Sequence, residues 1–231
     1  MAAKQLSGKL AVILHADVVG STALVQQDEQ IAHARIQDSF QRFGSTISNY
    51  HGQVRELRGD TLLAEFERAS DAISAALCFQ SDQSNYNAQL EDDIRPLVRV
   101  GIAMGEVVIA DDTITGAGVV LAQRLEQLAA PGGLCITPAI REAMPRRLPF
   151  ELENIGEQEL KGFDEPVGVY RVALTSGATV PPPDPGGSSG SEEGSPRLRI
   201  VAAAVVLAVF AVAVYGFVTW QSRESVICRC T

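Results

Sequence analysis

The stretch of residues 10–22, LAVILHADVVGST, places the strongest constraint on how this chain can fold. Its apolar run, residues 10–14, is short, bounded and rich in Val, Ile and Leu, which is typical of a strand buried on both faces. Asp17 follows that run, and the Gly-Ser-Thr turn after it can begin a helix. A carboxylate beside the N–H groups of a helix start suits a divalent cation bound to phosphates. Most aspartates at a strand end only cap a turn, so this interpretation needs a second carboxylate.

The length, net charge and cysteine positions limit the classes of protein to which this chain can belong. The chain has 231 residues, of which 46% are hydrophobic, and this length suits one domain with appendages. Its net charge of -9 argues against a nucleic-acid partner, because phosphate contacts require clustered Lys and Arg. Cys78 and Cys135 lie in apolar segments as expected for buried free thiols, and no disulfide framework is indicated.

Hydrophobic periodicity predicts the first half of the domain. After the first strand we expect a helix, a hairpin turning at Gly59-Asp60, a second helix, and a second hairpin turning near Met104-Gly105. The corresponding segments are residues 23–50, 53–66, 69–85 and 97–110. This order predicts an α+β fold, a ferredoxin-like βαββαβ sheet with its helices on one side.

Further elements extend the domain to residue 174. We expect a third helix over residues 117–128, a helical turn over 138–144, and strands over 134–136, 150–155, 157–160 and 167–174. Residues 175–199 are rich in Pro, Gly and Ser and are predicted to form a flexible linker.

Residues 200–220 are uncharged and end in an aromatic edge, which predicts a single transmembrane helix followed by a short tail, residues 221–231. A bilayer span needs about 20 apolar residues. The predicted layout is therefore a domain (1–174), a tether and a C-terminal membrane anchor.

Asp60 supplies the second carboxylate. In a ferredoxin-like sheet the first strand and the hairpin that carries Asp60 are neighbours, so Asp17 and Asp60 can converge on one edge. Two carboxylates there could hold two Mg²⁺ ions, an arrangement used in phosphoryl transfer. The alternative is that Asp60 belongs to an ordinary Gly-Asp turn. Arg124 on the third helix could likewise contact a phosphate or face solvent, and Lys161 could bind a triphosphate or be a loop lysine.

Five segments in the same order resemble the catalytic domain of class III nucleotidyl cyclases, the adenylate and guanylate cyclases. These segments are ADVVGST, GDTLLAEF, VRVGIAMGEV, AQRLEQLAAPGG and ELKGF, and the resemblance covers residues 9–172. It implies a head-to-tail homodimer that converts a nucleoside triphosphate to a 3′,5′-cyclic nucleotide and pyrophosphate. By position it implies these roles: Asp17, Val18 and Asp60 for two Mg²⁺ or Mn²⁺ ions, Glu56 and Thr113 for the base, Arg124 for the transition state, and Lys161 for phosphate.

The base that is cyclised stays open. Adenylate cyclases usually have Lys at the position of Glu56, and a carboxylate suits the N1–H and N2–H₂ donors of guanine better. Thr113, by contrast, matches an adenylate-type subset. Arg58 is expected to face the same side as Glu56, where it would either form an ion pair or contact guanine O6 or pyrimidine O2. A pyrimidine nucleotide cyclase is therefore a further alternative.

Val120 departs from the resemblance. The family usually has Asn there, one helical turn before the catalytic Arg, where it positions the ribose. Valine can neither donate nor accept a hydrogen bond, so a weakly active or inactive nucleotide-binding module is the second hypothesis.

The charges flanking residues 200–220 do not orient the predicted span, because two arginines lie on each side of it. Nucleoside triphosphates are cytosolic, so we expect the catalytic domain to face the cytoplasm.

Overall fold

One mixed sheet organises the structure, a computed structural model that describes residues 8–110 and 113–183. Within those ranges its strands follow the order β2-β3-β1-β4-β6-β8-β7, and β5 pairs with β4. The strands are β1 (Gly8–Val18), β2 (Gln53–Arg58), β3 (Thr61–Phe66), β4 (Val98–Ala110), β5 (Thr113–Thr115), β6 (Leu134–Ile136), β7 (Phe150–Gln158) and β8 (Val167–Leu174). The helices are α1 (Ser21–Gln27), α2 (Glu29–Asn49), α3 (Ala69–Ala88), α4 (Ala117–Leu128) and α5 (Pro138–Ala143).

Strand β1 lies in the middle of the sheet. It pairs antiparallel with β3 on one side and with β4 on the other. Its residues from Ala11 to Ala16 are all buried, as expected for an apolar strand with helices on both faces. The predicted α+β class is confirmed, and the predicted buried strand is confirmed from Ala11 onward, whereas Leu10, at the start of the predicted run, is 70% exposed.

The prediction of a second hairpin that turns near Met104-Gly105 is wrong. Strand β4 runs through that position, and its partners on β1 continue without a break from Val98 to Val108. Gly105 serves packing instead of a turn, because a Cβ there would come within 2.7 Å of the Gly118 Cα on α4. Strand β4 continues to Ala110 and pairs antiparallel with the short strand β5, with Ala110 opposite Thr113.

The helices cover both faces of the sheet. α2 and α3 pack on one face, where Phe43 and Phe79 stack with ring centroids 4.0 Å apart. α4 packs on the opposite face through Ala122 and Leu125. The prediction of helices on one side therefore holds for α2 and α3, whereas the third helix lies on the other side.

Two predicted elements differ in their boundaries. The helix predicted over residues 23–50 is interrupted at Asp28, which is extended (φ -156) and whose carboxylate accepts a hydrogen bond from Ile31 N. Asp28 thus caps a new helix instead of continuing the first. The two strands predicted over residues 150–155 and 157–160 are one strand, β7, with a bulge between Asn154 and Glu157.

Residues 175–183 contact the folded domain, whereas the sequence analysis assigned them to the linker. The Tyr50 hydroxyl donates to the Pro181 carbonyl at 2.9 Å, and Val180 packs against the core. The domain therefore extends at least to Pro183.

The predicted transmembrane helix, residues 200–220, lies outside the described residues. Within residues 8–110 and 113–183, no helix has the length and apolar character needed to cross a bilayer.

Candidate active site

Asp17 and Asp60 lie at the same edge of the sheet. Asp17 is the second-to-last residue of strand β1, opposite Thr61 of β3, and Asp60 immediately precedes Thr61 in the hairpin. Val18, the last residue of β1, donates its N–H to the Asp60 carbonyl at 3.0 Å. The Ser21 hydroxyl at the start of α1 donates to the Asp60 carboxylate. The strand end and the hairpin tip predicted to converge do so.

The two carboxylates influence one another electrostatically. Burial raises the pKa of the Asp17 carboxyl above its usual value, and the negative charge of Asp60 raises that pKa further. A hydrogen bond and the charge of Arg99 act in the opposite direction. Two acids this close favour the binding of a cation, which would stabilise both in their ionised form.

Arg99 and Glu126 are part of this edge, and the sequence analysis did not identify them. Arg99 lies opposite Asp17 on β4, and its Nη2 donates to the Asp17 carboxylate at 2.9 Å. Its Nε lies 2.8 Å from a carboxylate oxygen of Glu126 on α4. Burial raises the pKa of Glu126 to about 7, against the lowering effect of Arg99. Arg99 lies in a segment that was predicted to be a strand, but only the β1–β4 register, which places it opposite Asp17, brings it to the site.

His15 completes the buried part of this cluster. Its Nδ1 lies 3.8 Å from Glu126, and burial lowers the pKa of the imidazole to about 4. The ring is therefore neutral at physiological pH and adds no charge to the site.

Arg124 and Lys161 come together at a different place. The Arg124 Nε donates to the Lys161 carbonyl at 3.1 Å, and its Nη1 donates to Gln127 at 3.1 Å. Lys161 is exposed, and its segment, residues 159–166, lines a shallow cavity of about 480 Å³. The structure thus joins the two predicted phosphate-binding cations, at a surface open to solvent.

Glu56 and Arg58 form an ion pair on β2, as the alternation of the strand predicts. Glu56 is half-buried, while 75% of the Arg58 side chain is exposed. Thr113 is exposed at the start of β5, a strand that lies near β2. Val120, at 39% exposure, presents an apolar side chain on α4 where a polar one was expected.

Comparison with known proteins decides the family. The family model of the Adenylate and Guanylate cyclase catalytic domain matches residues 4–173. This chain belongs to that family. Its cyclase domain is 31% identical over 183 residues to "Putative adenylate cyclase 3" of Rhizobium meliloti (strain 1021), covering 79% of this chain and 31% of that protein. It is 29% identical to an uncharacterized protein of Mycobacterium tuberculosis, covering 69% of this chain and 54% of that protein. The chain thus spans about a third to a half of these relatives.

Solved structures share the fold of the cyclase domain. A crystal structure of an adenylate/guanylate cyclase/hydrolase from Silicibacter pomeroyi has a TM-score of 0.66 at 27% identity, covering 74% of this chain and 99% of that one. The adenylyl cyclase CyaB from P. aeruginosa also has a TM-score of 0.66, at 20% identity, covering 74% of this chain and 97% of that one. The mixed α+β cyclase fold is therefore shown.

The donor set of the cyclase domain fits a magnesium-type cation. No group of three or more His, Cys, Asp or Glu side chains arranged to hold a metal occurs in the described part of the chain. Asp17 and Asp60 thus offer two carboxylates, and Mg²⁺ typically binds one or two carboxylates and takes its other ligands from water and substrate phosphates. The oxygen-only chemistry of this edge suits Mg²⁺ or Mn²⁺ better than a softer metal.

Proposed function

We propose that this cyclase domain converts a nucleoside triphosphate, ATP or GTP, to a 3′,5′-cyclic nucleotide and pyrophosphate for second-messenger signalling. The observation that carries the proposal is the meeting of Asp17 and Asp60 at one edge, with the Asp60 charge acting on the Asp17 carboxyl. The bound cations, two Mg²⁺ or Mn²⁺, would lower the pKa of the ribose 3′-OH and neutralise phosphate charge.

The protein's own groups divide the remaining work. Asp17, Asp60 and the Val18 backbone would hold the cations at the edge of the sheet. The ribose 3′-OH loses its proton to solvent water, its oxygen attacks the α-phosphorus, the bond from that phosphorus to the bridging oxygen breaks, and pyrophosphate leaves with that oxygen. Arg124 and Lys161 offset the negative charge that develops, and Arg124 acts on the transition state.

The active site in this proposal lies between two copies of the chain. Arg124 and Lys161 are held to each other at the surface, and the acids lie at the end of β1. A head-to-tail homodimer would place the cations of one protomer against the acids of its partner, with closed two-fold symmetry. Residues 200–220 would anchor both copies in one membrane, which raises their effective concentration for each other, with the catalytic domain in the cytoplasm.

A panel of nucleotides tests the proposed activity. The full-length protein in detergent is incubated with Mn²⁺ and each of ATP, GTP, CTP and UTP, and cyclic products are quantified by mass spectrometry. We expect one purine cyclic nucleotide, and we expect Asp17→Asn to lower its formation by at least about 100-fold, since cation binding is lost. Asp38→Asn is the matched control, because Asp38 pairs with Arg42 on the surface of α2.

Two other results of the panel would change the proposal. Absence of product from all four nucleotides, with retained nucleotide binding, would support the inactive binding module that the exposed Val120 favours. A cyclic pyrimidine product would support the alternative motivated by Arg58, whose guanidinium lies beside Glu56.

A further inference from the structure

A guanidinium bridges two carboxylates beside the proposed cation site. Arg99 Nη2 donates to Asp17 at 2.9 Å, while Arg99 Nε lies 2.8 Å from the Glu126 carboxylate. The three residues come from three elements, β1, β4 and α4. One positive charge is therefore shared between a proposed metal ligand and a buried glutamate on α4.

The Glu126 side of this bridge is buried and incompletely bonded. The Glu126 side chain is 3% exposed, compared with 25% for Arg99. Although the two groups are close, their alignment does not make a hydrogen bond, and Arg99 Nε and Glu126 Oε1 have no other hydrogen-bond partner among the described residues. Buried polar atoms in this condition are rare and costly. The pair therefore has unused capacity for a better-aligned, two-bond contact.

We infer that Arg99 is an internal counter-ion for Asp17 and that Glu126 is a positioning residue for Arg99. When a divalent cation binds to Asp17, Glu126 draws the Arg99 guanidinium away from the Asp17 carboxylate. The inference rests on the proposed function and deepens it. It adds two residues, Arg99 and Glu126, that lie outside the predicted metal, base and phosphate sets. It also links the cation site to α4, the helix that carries Arg124.

The physical reason is competition between cations for one carboxylate. A divalent cation on Asp17 and a guanidinium hydrogen-bonded to the same carboxylate repel each other at a few ångströms. Without an alternative anion, Arg99 would keep its bond to Asp17 and weaken cation binding. Glu126 provides that alternative, because a small rotation of the guanidinium gives it two aligned bonds to a buried carboxylate.

Mn²⁺ titration of full-length variants tests the inference. Free Mn²⁺ is measured by electron paramagnetic resonance, without nucleotide, in the wild-type protein and in Glu126→Gln. Glutamine keeps the shape and removes the charge, so Arg99 should pair more strongly with Asp17, and the Mn²⁺ dissociation constant should rise about tenfold. Glu65→Gln is the matched control, since Glu65 is also buried and paired with Arg55 but does not contact Asp17.

Glu126→Asp distinguishes positioning from a general electrostatic effect. It keeps the negative charge but withdraws the carboxylate from Arg99, so we expect Mn²⁺ binding to weaken towards the level of Glu126→Gln. An unchanged affinity in Glu126→Asp would show that only the charge matters and would overturn the inference. Thermal unfolding of each variant verifies that the fold is retained.

A crystal structure with Mn²⁺ gives the direct geometric test. We expect the Arg99 Nη2 to Asp17 Oδ2 distance to exceed about 3.5 Å, with Arg99 bonded to Glu126. Retention of the Arg99–Asp17 bond with Mn²⁺ bound would overturn the inference. Failure of the wild type to bind Mn²⁺ in an Asp17-dependent way would instead reject the proposed cation site and this inference together. Normal wild-type binding with no effect of Glu126→Gln would reject the inference alone.

Discussion

Asp17 has neighbours that shift the pKa of its carboxyl in opposite directions. Burial and the neighbouring Asp60 raise the pKa of its carboxyl, while Arg99 lowers it. Since β1 is paired on both sides, the carboxylate cannot relax far from this position. In the proposed function this carboxylate binds a cation, and the arginine beside it would compete with that cation for the carboxylate.

The reactivity of the two described cysteines tests the burial of Cys135. Burial raises the pKa of Cys135 to about 11, which lowers its thiolate fraction roughly a hundredfold relative to an unperturbed thiol. We expect iodoacetamide at about pH 8 to modify half-buried Cys78 well before Cys135, as measured by mass spectrometry of timed samples.

Denatured protein provides the control for this labelling experiment. In concentrated guanidinium chloride both cysteines should react at similar rates. Modification of Cys135 as fast as Cys78 in the folded protein would contradict the packing of β6.

The sequence could reveal the two acids but not the residues behind them. Asp17 and Asp60 stand at a strand end and a hairpin tip, where polar residues are visible against an apolar background. Arg99 and Glu126 each fit an ordinary strand or helix pattern, so nothing local distinguishes them. Their contact depends on the β1–β4 register and on where α4 crosses the sheet, which are properties of the tertiary structure.

At the scale of elements, the contact of α4 with β4 positions Arg124 and Glu126 of α4 relative to the sheet. Gly101 on β4 lies directly beneath the helix, and a Cβ there would come within 2.1 Å of the Ala122 carbonyl and 2.3 Å of Glu126 N. The helix backbone therefore rests on the strand backbone. The same contact sets where Arg124 and Glu126 lie.

Substitution of Gly101 tests this packing. Gly101→Ala should force α4 away from the sheet and lower the free energy of unfolding by about 1–3 kcal/mol, as overpacking of a core does. Gly44→Ala is the matched control, because Gly44 lies within α2 and a Cβ there would meet only Val54 at 3.8 Å. It should raise stability by about 0.5–1 kcal/mol, since alanine favours a helix interior. Equal effects in urea denaturation would contradict the account.

The element predictions succeeded where one physical signal dominated. Periodic apolar residues predicted α3 and α4, and the Gly59-Asp60 turn predicted the hairpin of β2 and β3. The prediction of a second hairpin was wrong because a glycine such as Gly105 can serve either a turn or a close approach of two backbones. Only the position of α4 distinguishes them.

At the scale of the whole molecule, the proposed active site needs residues from two copies of the chain. The acids of the proposed site lie at the end of β1 and in the β2–β3 turn, whereas Arg124 of α4 is bonded to the Lys161 carbonyl, and catalysis is proposed where these two regions of different copies meet. The predicted anchor at residues 200–220 would hold the copies in one plane, a proposal that concerns a part of the chain outside the described residues.

Mixing two inactive variants tests this central claim most directly. Asp17→Asn lacks the proposed cation site, and Arg124→Ala lacks the proposed transition-state contact. Loss of that contact should raise the activation free energy by about 2.7–4 kcal/mol. Each variant is assayed alone, and the two are then co-expressed and purified as a mixture with the nucleotide that the wild type cyclises. A mixed dimer has one site with both defects and one intact site, so random pairing should restore about a quarter of wild-type activity. A mixture no more active than its two components would contradict an active site shared between protomers.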